Sequence, residues 1–234
     1  MTASGNSIKI PPQNIDFLFK YLTDSYASQF FKVLQILPDG AKFEPRPSEI
    51  STVEYGVVSL DRVFMLEGRT ILHLEFDSSG IPRDLCRYMR YAALLSYSYF
   101  MASESEMPYS VRTVVIYPGG VKLPPRVYAS EGSLIYEIEQ ISVDEHIDGD
   151  QILSEISRTV QANPKVKLTG EDVVKFALAP LGKVRGKKPE FGRQAVRLAK
   201  SLAPAPDNDK AIALVACAVS TFLDAGELNS LMGG

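Results

Sequence analysis

Two runs rich in β-branched and aromatic residues flank a glycine, and they constrain the fold more than any other segment. The first is Val57-Val58-Ser59-Leu60-Asp61-Arg62-Val63-Phe64-Met65-Leu66, and the second is Thr70-Ile71-Leu72-His73-Leu74-Glu75-Phe76-Asp77. Glu67-Gly68-Arg69 between them is a turn signal, so the segment predicts a β-hairpin. A turn centred on Gly68 leaves Asp61 and Glu75 equally far from it, as cross-strand partners. Such partners have Cβ atoms roughly 4.5–5.5 Å apart, and like charges there are destabilising unless something compensates. A divalent cation compensates, because hard cations take carboxylate oxygens.

The pleat extends the pattern. Side chains alternate faces along a strand. Leu72, Leu74 and Phe76 share one face, expected to pack on a helix, and His73, Glu75 and Asp77 share the other. Asp61 joins that polar face if the register holds. Two readings of the face stand side by side: a cation site, or an exposed sheet face with ordinary solvated charges.

Composition narrows the function classes. The chain has 234 residues, 45% hydrophobic and 23% charged, as in an ordinary soluble globular protein. No apolar run approaches the roughly 20 residues of a membrane span. Met1 to Ile10 is polar and lacks the apolar centre of a signal peptide, so a cytoplasmic location is expected. Cys86 and Cys217 are the only cysteines and His73 and His146 the only histidines, which argues against a disulfide framework and against zinc chemistry. The formal net charge is −3, so the molecule as a whole is not a basic nucleic-acid binder. From Lys183 to Lys200, however, seven basic residues stand against Glu190 alone, a stretch suited to phosphate or to a solvated helix face.

Along the chain, residues 1–13 read as a flexible N-terminus. Asn14 or Asp16 is placed to cap a first helix running through Phe17, Phe19 and Leu22. A second helical pattern runs from Ser25 to Leu37 and ends at Pro38-Asp39-Gly40. Phe43 to Tyr55 is ambiguous, with Pro45 and Pro47 interrupting any regular strand. After the hairpin, a helix is expected over 82–103, with Arg83, Arg87 and Arg90 on one face. Val111 to Tyr117 reads as a buried strand and Leu134 to Val143 as another. Only helical signals follow, near 150–162, 170–180, 190–202 and 208–224, with Ala203-Pro204-Ala205-Pro206 as a hinge-like break. The expected organisation is an α/β core over 14–147 and an α-helical C-terminal extension over 148–234.

These residues resemble the PD-(D/E)XK nuclease superfamily, and most of all its recombination-promoting nuclease and transposase-like branch. The resemblance covers roughly Asn14 to Tyr117. Asp16-Phe17-Leu18-Phe19-Lys20 is similar to the opening helix motif, and Ser59-Leu60-Asp61-Arg62-Val63-Phe64 to the first catalytic strand. Leu72-His73-Leu74-Glu75-Phe76-Asp77 is similar to the second catalytic strand, and Arg87-Tyr88-Met89-Arg90-Tyr91 to the helix after it. The resemblance implies a restriction-endonuclease-like core, a mixed central sheet flanked by helices. It implies metal-dependent hydrolysis of DNA, linked to recombination or mobile elements, with Mg²⁺ or Mn²⁺ held by Asp61 and Glu75. Asp77 is then a third ligand or the group that orients water, and Asp16 either reaches the same metal or caps its helix. His73 supports the ligands or is simply packed. Arg83, Arg87, Arg90 and Lys20 either contact DNA phosphates or are solvated surface cations. A homodimer is the expected assembly. One position departs from the pattern: Asp77 stands where the superfamily usually has Lys, sometimes Gln or Glu, and an ionised Asp supplies neither a proton nor positive charge. That departure keeps a second reading in view, a catalytically impaired nuclease fold that binds nucleic acid or protein.

Overall fold

The computed structural model describes residues 14–52, 56–67, 69–103, 107–131 and 134–233. The expected flexible N-terminus over 1–13 and the Gly68 turn lie outside the described residues. In chain order the elements are α1 (Asn14–Ser25), α2 (Ala27–Val33), β1 (Phe43–Arg46), β2 (Glu49–Thr52), β3 (Gly56–Ser59), β4 (Arg62–Leu66), β5 (Thr70–Phe76), α3 (Asp84–Met101), β6 (Ser110–Tyr117), β7 (Val127–Ala129), β8 (Ile135–Glu137), β9 (Glu139–Ser142), α4 (Val143–His146), α5 (Gly149–Ala162), α6 (Gly170–Leu178), α7 (Lys188–Lys200), α8 (Pro206–Val219) and α9 (Ala225–Gly233). They fall into two compact units. One is 36–142; the other joins the described residues up to Gln35 to those from Val143 onward. The division thus falls elsewhere than the 14–147 and 148–234 partition expected from sequence, because α1 and α2 pack with the C-terminal helices.

The unit 36–142 is built on a mixed sheet in the order β1-β4-β5-β6-β9. β1, β4 and β5 are antiparallel neighbours, while β5, β6 and β9 run parallel. α3 makes the crossover that a parallel pair needs. The hairpin register pairs Arg62 with Leu74 and Val63 with His73, which continues to Asp61 opposite Glu75 as the pattern around Gly68 predicts. Pro45 sits in β1, an edge strand, where its missing N–H removes no interior ladder bond.

Two predicted strands are broken in the structure. The first hairpin arm divides at Leu60 and Asp61: β3 pairs with β2 in a separate two-stranded sheet, and β4 pairs in the main one. Leu60 N–H donates to Ser48 O at 2.7 Å, extending the smaller ladder, and the Leu60 side chain is buried beside Ile50, Val63, Ile71 and Leu95. The predicted strand over 134–143 divides at buried Ile138 into β8, which pairs with β7, and β9, at the edge of the main sheet. Alternation alone does not reveal that one run serves two sheets.

β5 is the central strand, and Ile71, Leu72 and Leu74 are wholly buried in it, as are Val114, Val115 and Ile116 in β6. Each such side chain contributes about 1.5–3 kcal/mol relative to exposure. The reading of that polar face as an exposed, solvated one fails here, and so does the placing of the covering helix on the Leu72, Leu74 and Phe76 side. His73, Glu75 and Asp77 are 0%, 5% and 6% exposed. α3 lies over their face: Leu95 packs with Ile71, the Tyr91 ring meets His73 edge-on at 6.1 Å, and Tyr88 reaches Asp77.

The other unit is helical. α8 packs against α1, α6 and α7, and its inward positions Ala211, Leu214, Val215, Ala218 and Val219 are buried. Thr169 and Asp172 form a capping box at the start of α6, and Asp148 caps α5 by accepting from Gln151 N–H. The helical pattern predicted to Leu37 stops at Val33, and Gln35 adopts a left-handed φ of 55°. The pattern expected over 208–224 forms α8, which ends at Val219, and a separate α9 follows from Ala225. The Ala203–Pro206 break is not loose. Asn208, wholly buried, donates to Val166 O and Ala203 O at 2.8 Å each and accepts from Leu168 N–H at 2.9 Å. In the basic stretch, Arg193 pairs with Glu227 and Lys200 Nζ donates to Leu231 O at 2.9 Å, so part of its charge ties α9 to α7.

Asn208→Ala strands one buried N–H and two carbonyls, each a desolvated group worth roughly 1–3 kcal/mol when left unmet. It is expected to lower unfolding free energy by at least about 2 kcal/mol, read from urea denaturation, with the wild-type m-value retained.

Candidate functional site

Asp61 stands at the point where the first hairpin arm breaks. Its carboxylate turns into the sheet, and Oδ2 accepts from Phe76 N–H at 2.9 Å. A side-chain oxygen thereby stands in for the ladder carbonyl that β4 no longer offers beyond Arg62. In return, Asp61 N–H points at Glu75 Oε1 at 3.4 Å. The two acids predicted to oppose each other do meet, through reciprocal contacts between side chain and backbone.

Glu75 has a second partner. His73 Nε2 lies 2.8 Å from Glu75 Oε1, both groups being buried. His73 Nδ1 lies 3.3 Å from Thr113 Oγ1 on β6, and Thr113 Oγ1 accepts from the Tyr136 hydroxyl on β8 at 2.9 Å. Burial, partly offset by the bond to Thr113, pushes the Tyr136 phenol up to about 12, so it keeps its proton at neutral pH.

Asp77 belongs to a different network. Oδ1 accepts from Ser79 N–H and Oγ at 2.7 Å each and from Gly80 N–H at 3.3 Å, and Oδ2 accepts from the Tyr88 hydroxyl at 3.0 Å. Burial works to raise this carboxyl, but the bonds from Ser79, Tyr88 and Gly80 together hold it below its ordinary value. The turn it organises needs Gly80, whose φ is +61° and whose added Cβ would lie 2.4 Å from Lys122 O. Asp77 therefore caps the loop between β5 and α3. Tyr88 is held in place by burial and by Arg87, whose guanidinium sits 5.0 Å from the ring centre.

The remaining predicted residues are placed as follows. Arg83 is exposed just before α3. Arg87 and Arg90 are exposed on α3, Arg90 with its guanidinium 5.4 Å from the Tyr91 ring centre. Burial works to lower the Arg87 guanidinium, but the charges of Tyr88, Asp84 and Glu75 together raise it, so Arg87 lies within electrostatic reach of the acid site. Asp16 and Lys20 belong to the helical unit, one turn apart on α1, and they pair with each other at 2.9 Å. Thr113, Tyr136 and Tyr88 were not singled out in the sequence. Thr113 carried a faint signal as a hydroxyl inside an apolar β run; Tyr136 carried none.

The donor set suits a hard divalent cation of the Mg²⁺ kind, which keeps several waters and takes one or two protein carboxylates. It does not suit a cage of many acids: among the described residues no group of three or more His, Cys, Asp or Glu is arranged to hold a metal ion. In comparisons with known proteins, the chain matches no family model, no curated protein and no solved structure.

The depressed Asp77 carboxyl carries a pH signature. A group whose folded pKa lies below its unfolded one stabilises the fold above the unfolded value, about 3.9 for Asp, and loses that contribution as pH falls through the folded value. Wild type is therefore expected to lose stability more steeply than Asp77→Asn as pH drops below about 4. Urea denaturation of both proteins across acid pH checks this, and parallel curves would refute it.

Proposed function

We propose that the chain is a metal-dependent DNA endonuclease of the PD-(D/E)XK type, with a restriction-endonuclease-like core, working in the cytoplasm as a homodimer in recombination or on mobile elements. The observation that carries the reading is the meeting of Asp61 and Glu75 where the first hairpin arm breaks between β3 and β4. Supporting it are a mixed sheet whose antiparallel hairpin leads through α3 into a parallel strand, and the exposed arginines at the start of that helix. No helix of the described residues is long and apolar enough to cross a membrane.

In this reading Asp61 and Glu75 would hold Mg²⁺ or Mn²⁺. When bound, such a cation acidifies a water and offsets charge on the phosphoryl transition state. The chain's own contribution is geometry. Phe76 N–H fixes Asp61, and His73 with Asp61 N–H fixes Glu75. Preset carboxylates do not have to be ordered during the reaction. Arg83, Arg87 and Arg90 would steer the DNA backbone, with Arg87 adding positive charge near Glu75. Lys20 and Asp16 partner each other on α1 in the helical unit.

One observation favours a second reading. Asp77 occupies the place of the superfamily's lysine and is committed to the Ser79–Gly80 turn and to Tyr88. A nuclease fold without that cation would retain DNA or a protein partner without cutting.

Incubation with supercoiled DNA separates the two. The nuclease reading expects nicking in Mg²⁺ or Mn²⁺ that chelation abolishes. In Asp61→Ala and Glu75→Ala it expects a rate loss of about 10²-fold or more, equivalent to about 2.7 kcal/mol. DNA retention without nicking in any metal supports the binding module, and the absence of both nicking and retention leaves only its protein-binding form.

A further inference from the structure

Four polar groups form a single file through the interior of the 36–142 unit. They start at the Tyr136 hydroxyl on β8, pass Thr113 on β6, cross the His73 ring on β5 and end at Glu75 Oε1. His73 is 0% exposed, Thr113 3% and Glu75 5%, so the two bonds of the His73 ring are sheltered from water, while Tyr136 is half-buried. Every hydrogen bond to Glu75 among the described residues ends on Oε1.

With the imidazole in its neutral form, the donors leave one consistent direction. A protonated phenol donates to Thr113 Oγ1. The Thr113 hydroxyl, its acceptor role filled, has its own proton to give, and His73 Nδ1 is the neighbour at 3.3 Å. A neutral imidazole that accepts at Nδ1 carries its proton on Nε2, where it meets a carboxylate oxygen at 2.8 Å. The Tyr91 ring on α3 lies beside the imidazole in an edge arrangement, with centroids 6.1 Å apart.

We infer that His73 is a positioning residue: the Tyr136–Thr113–His73 file locks the Nε2–H tautomer, pins Glu75 through Oε1, and so presents Oε2 to the cation shared with Asp61. This rests on the acid-pair reading of the site. A partner that orients a liganding carboxylate changes metal affinity by 10–100-fold when removed. His73→Leu removes the donor, whereas in His73→Gln the amide nitrogen takes the place of Nε2. Thr113→Val keeps the shape and deletes the hydroxyl that selects the tautomer.

The test combines two measurements on the full chain. In ¹⁵N-labelled wild type at mildly alkaline pH, imidazole correlation spectra are expected to show His73 protonated on Nε2 alone. An Nδ1–H tautomer, or a ring that interconverts freely, overturns the inference without any variant. Mn²⁺ affinity, read by calorimetry or electron paramagnetic resonance, is expected to fall about ten-fold or more in His73→Leu and by a smaller factor in Thr113→Val. His73→Gln is expected to restore it to within a few-fold of wild type. Unchanged Mn²⁺ affinity in a folded His73→Leu protein overturns the positioning role. Wild type that binds no Mn²⁺, or binds it equally well with Asp61→Ala, overturns the acid-pair reading instead. Circular dichroism melts on each variant separate lost affinity from lost fold.

Discussion

The central strand of the sheet carries three ionisable or polar side chains into the interior, and much of the 36–142 unit is arranged to satisfy them. A buried polar group left without a partner costs roughly 1–3 kcal/mol, and more if charged. His73, Glu75 and Asp77 all lie on the β5 face beneath α3. Each is met by a group from another element: Thr113 from β6, the Asp61 backbone from the break before β4, and Tyr88 from α3. The polar contacts thus specify how β5, β6, α3 and the hairpin fit together, while Ile71, Leu72, Leu74 and Val114 supply the apolar burial around them.

The same arrangement divides the acids by role. Asp77 accepts four hydrogen bonds and organises a turn, a use that requires ionisation and no cation. Asp61 accepts from Phe76 N–H, Glu75 Oε1 meets His73 Nε2 and Asp61 N–H, and the two acids face each other across the hairpin. The acids are therefore divided in the fold, and the difference comes from the groups that meet each of them. For the proposed nuclease chemistry the site is a pair rather than a triad, with Arg87 a cation in electrostatic range of Glu75.

The helical unit follows a more local logic. Caps at Asp148 and Thr169 start their helices where sequence rules place such residues. Asn208 does something no local rule anticipates, since it ties together backbone segments that the chain brings from Val166, Leu168 and Ala203. A proline-rich stretch that reads as a hinge is in this way closed by one buried amide.

Several features were legible from sequence because they depend on short-range periodicity. The hairpin register, the opposition of Asp61 and Glu75, the helix at 84–101 and the β6 strand all follow from alternation, helical spacing and turn residues. Other features depended on which elements lie above and beside a strand. Alternation tells which side chains share a face but not whether that face meets water, so the choice between a cation site and a solvated face for His73, Glu75 and Asp77 stays open until the central place of β5 and the cover of α3 are seen. Nor does periodicity show that one run feeds two sheets, as at Leu60 and Ile138, or that Thr113 and Tyr136 stand in file with an imidazole 40 residues from Thr113. Those are long-range contacts, set by the packing of the whole unit rather than by any window of the chain.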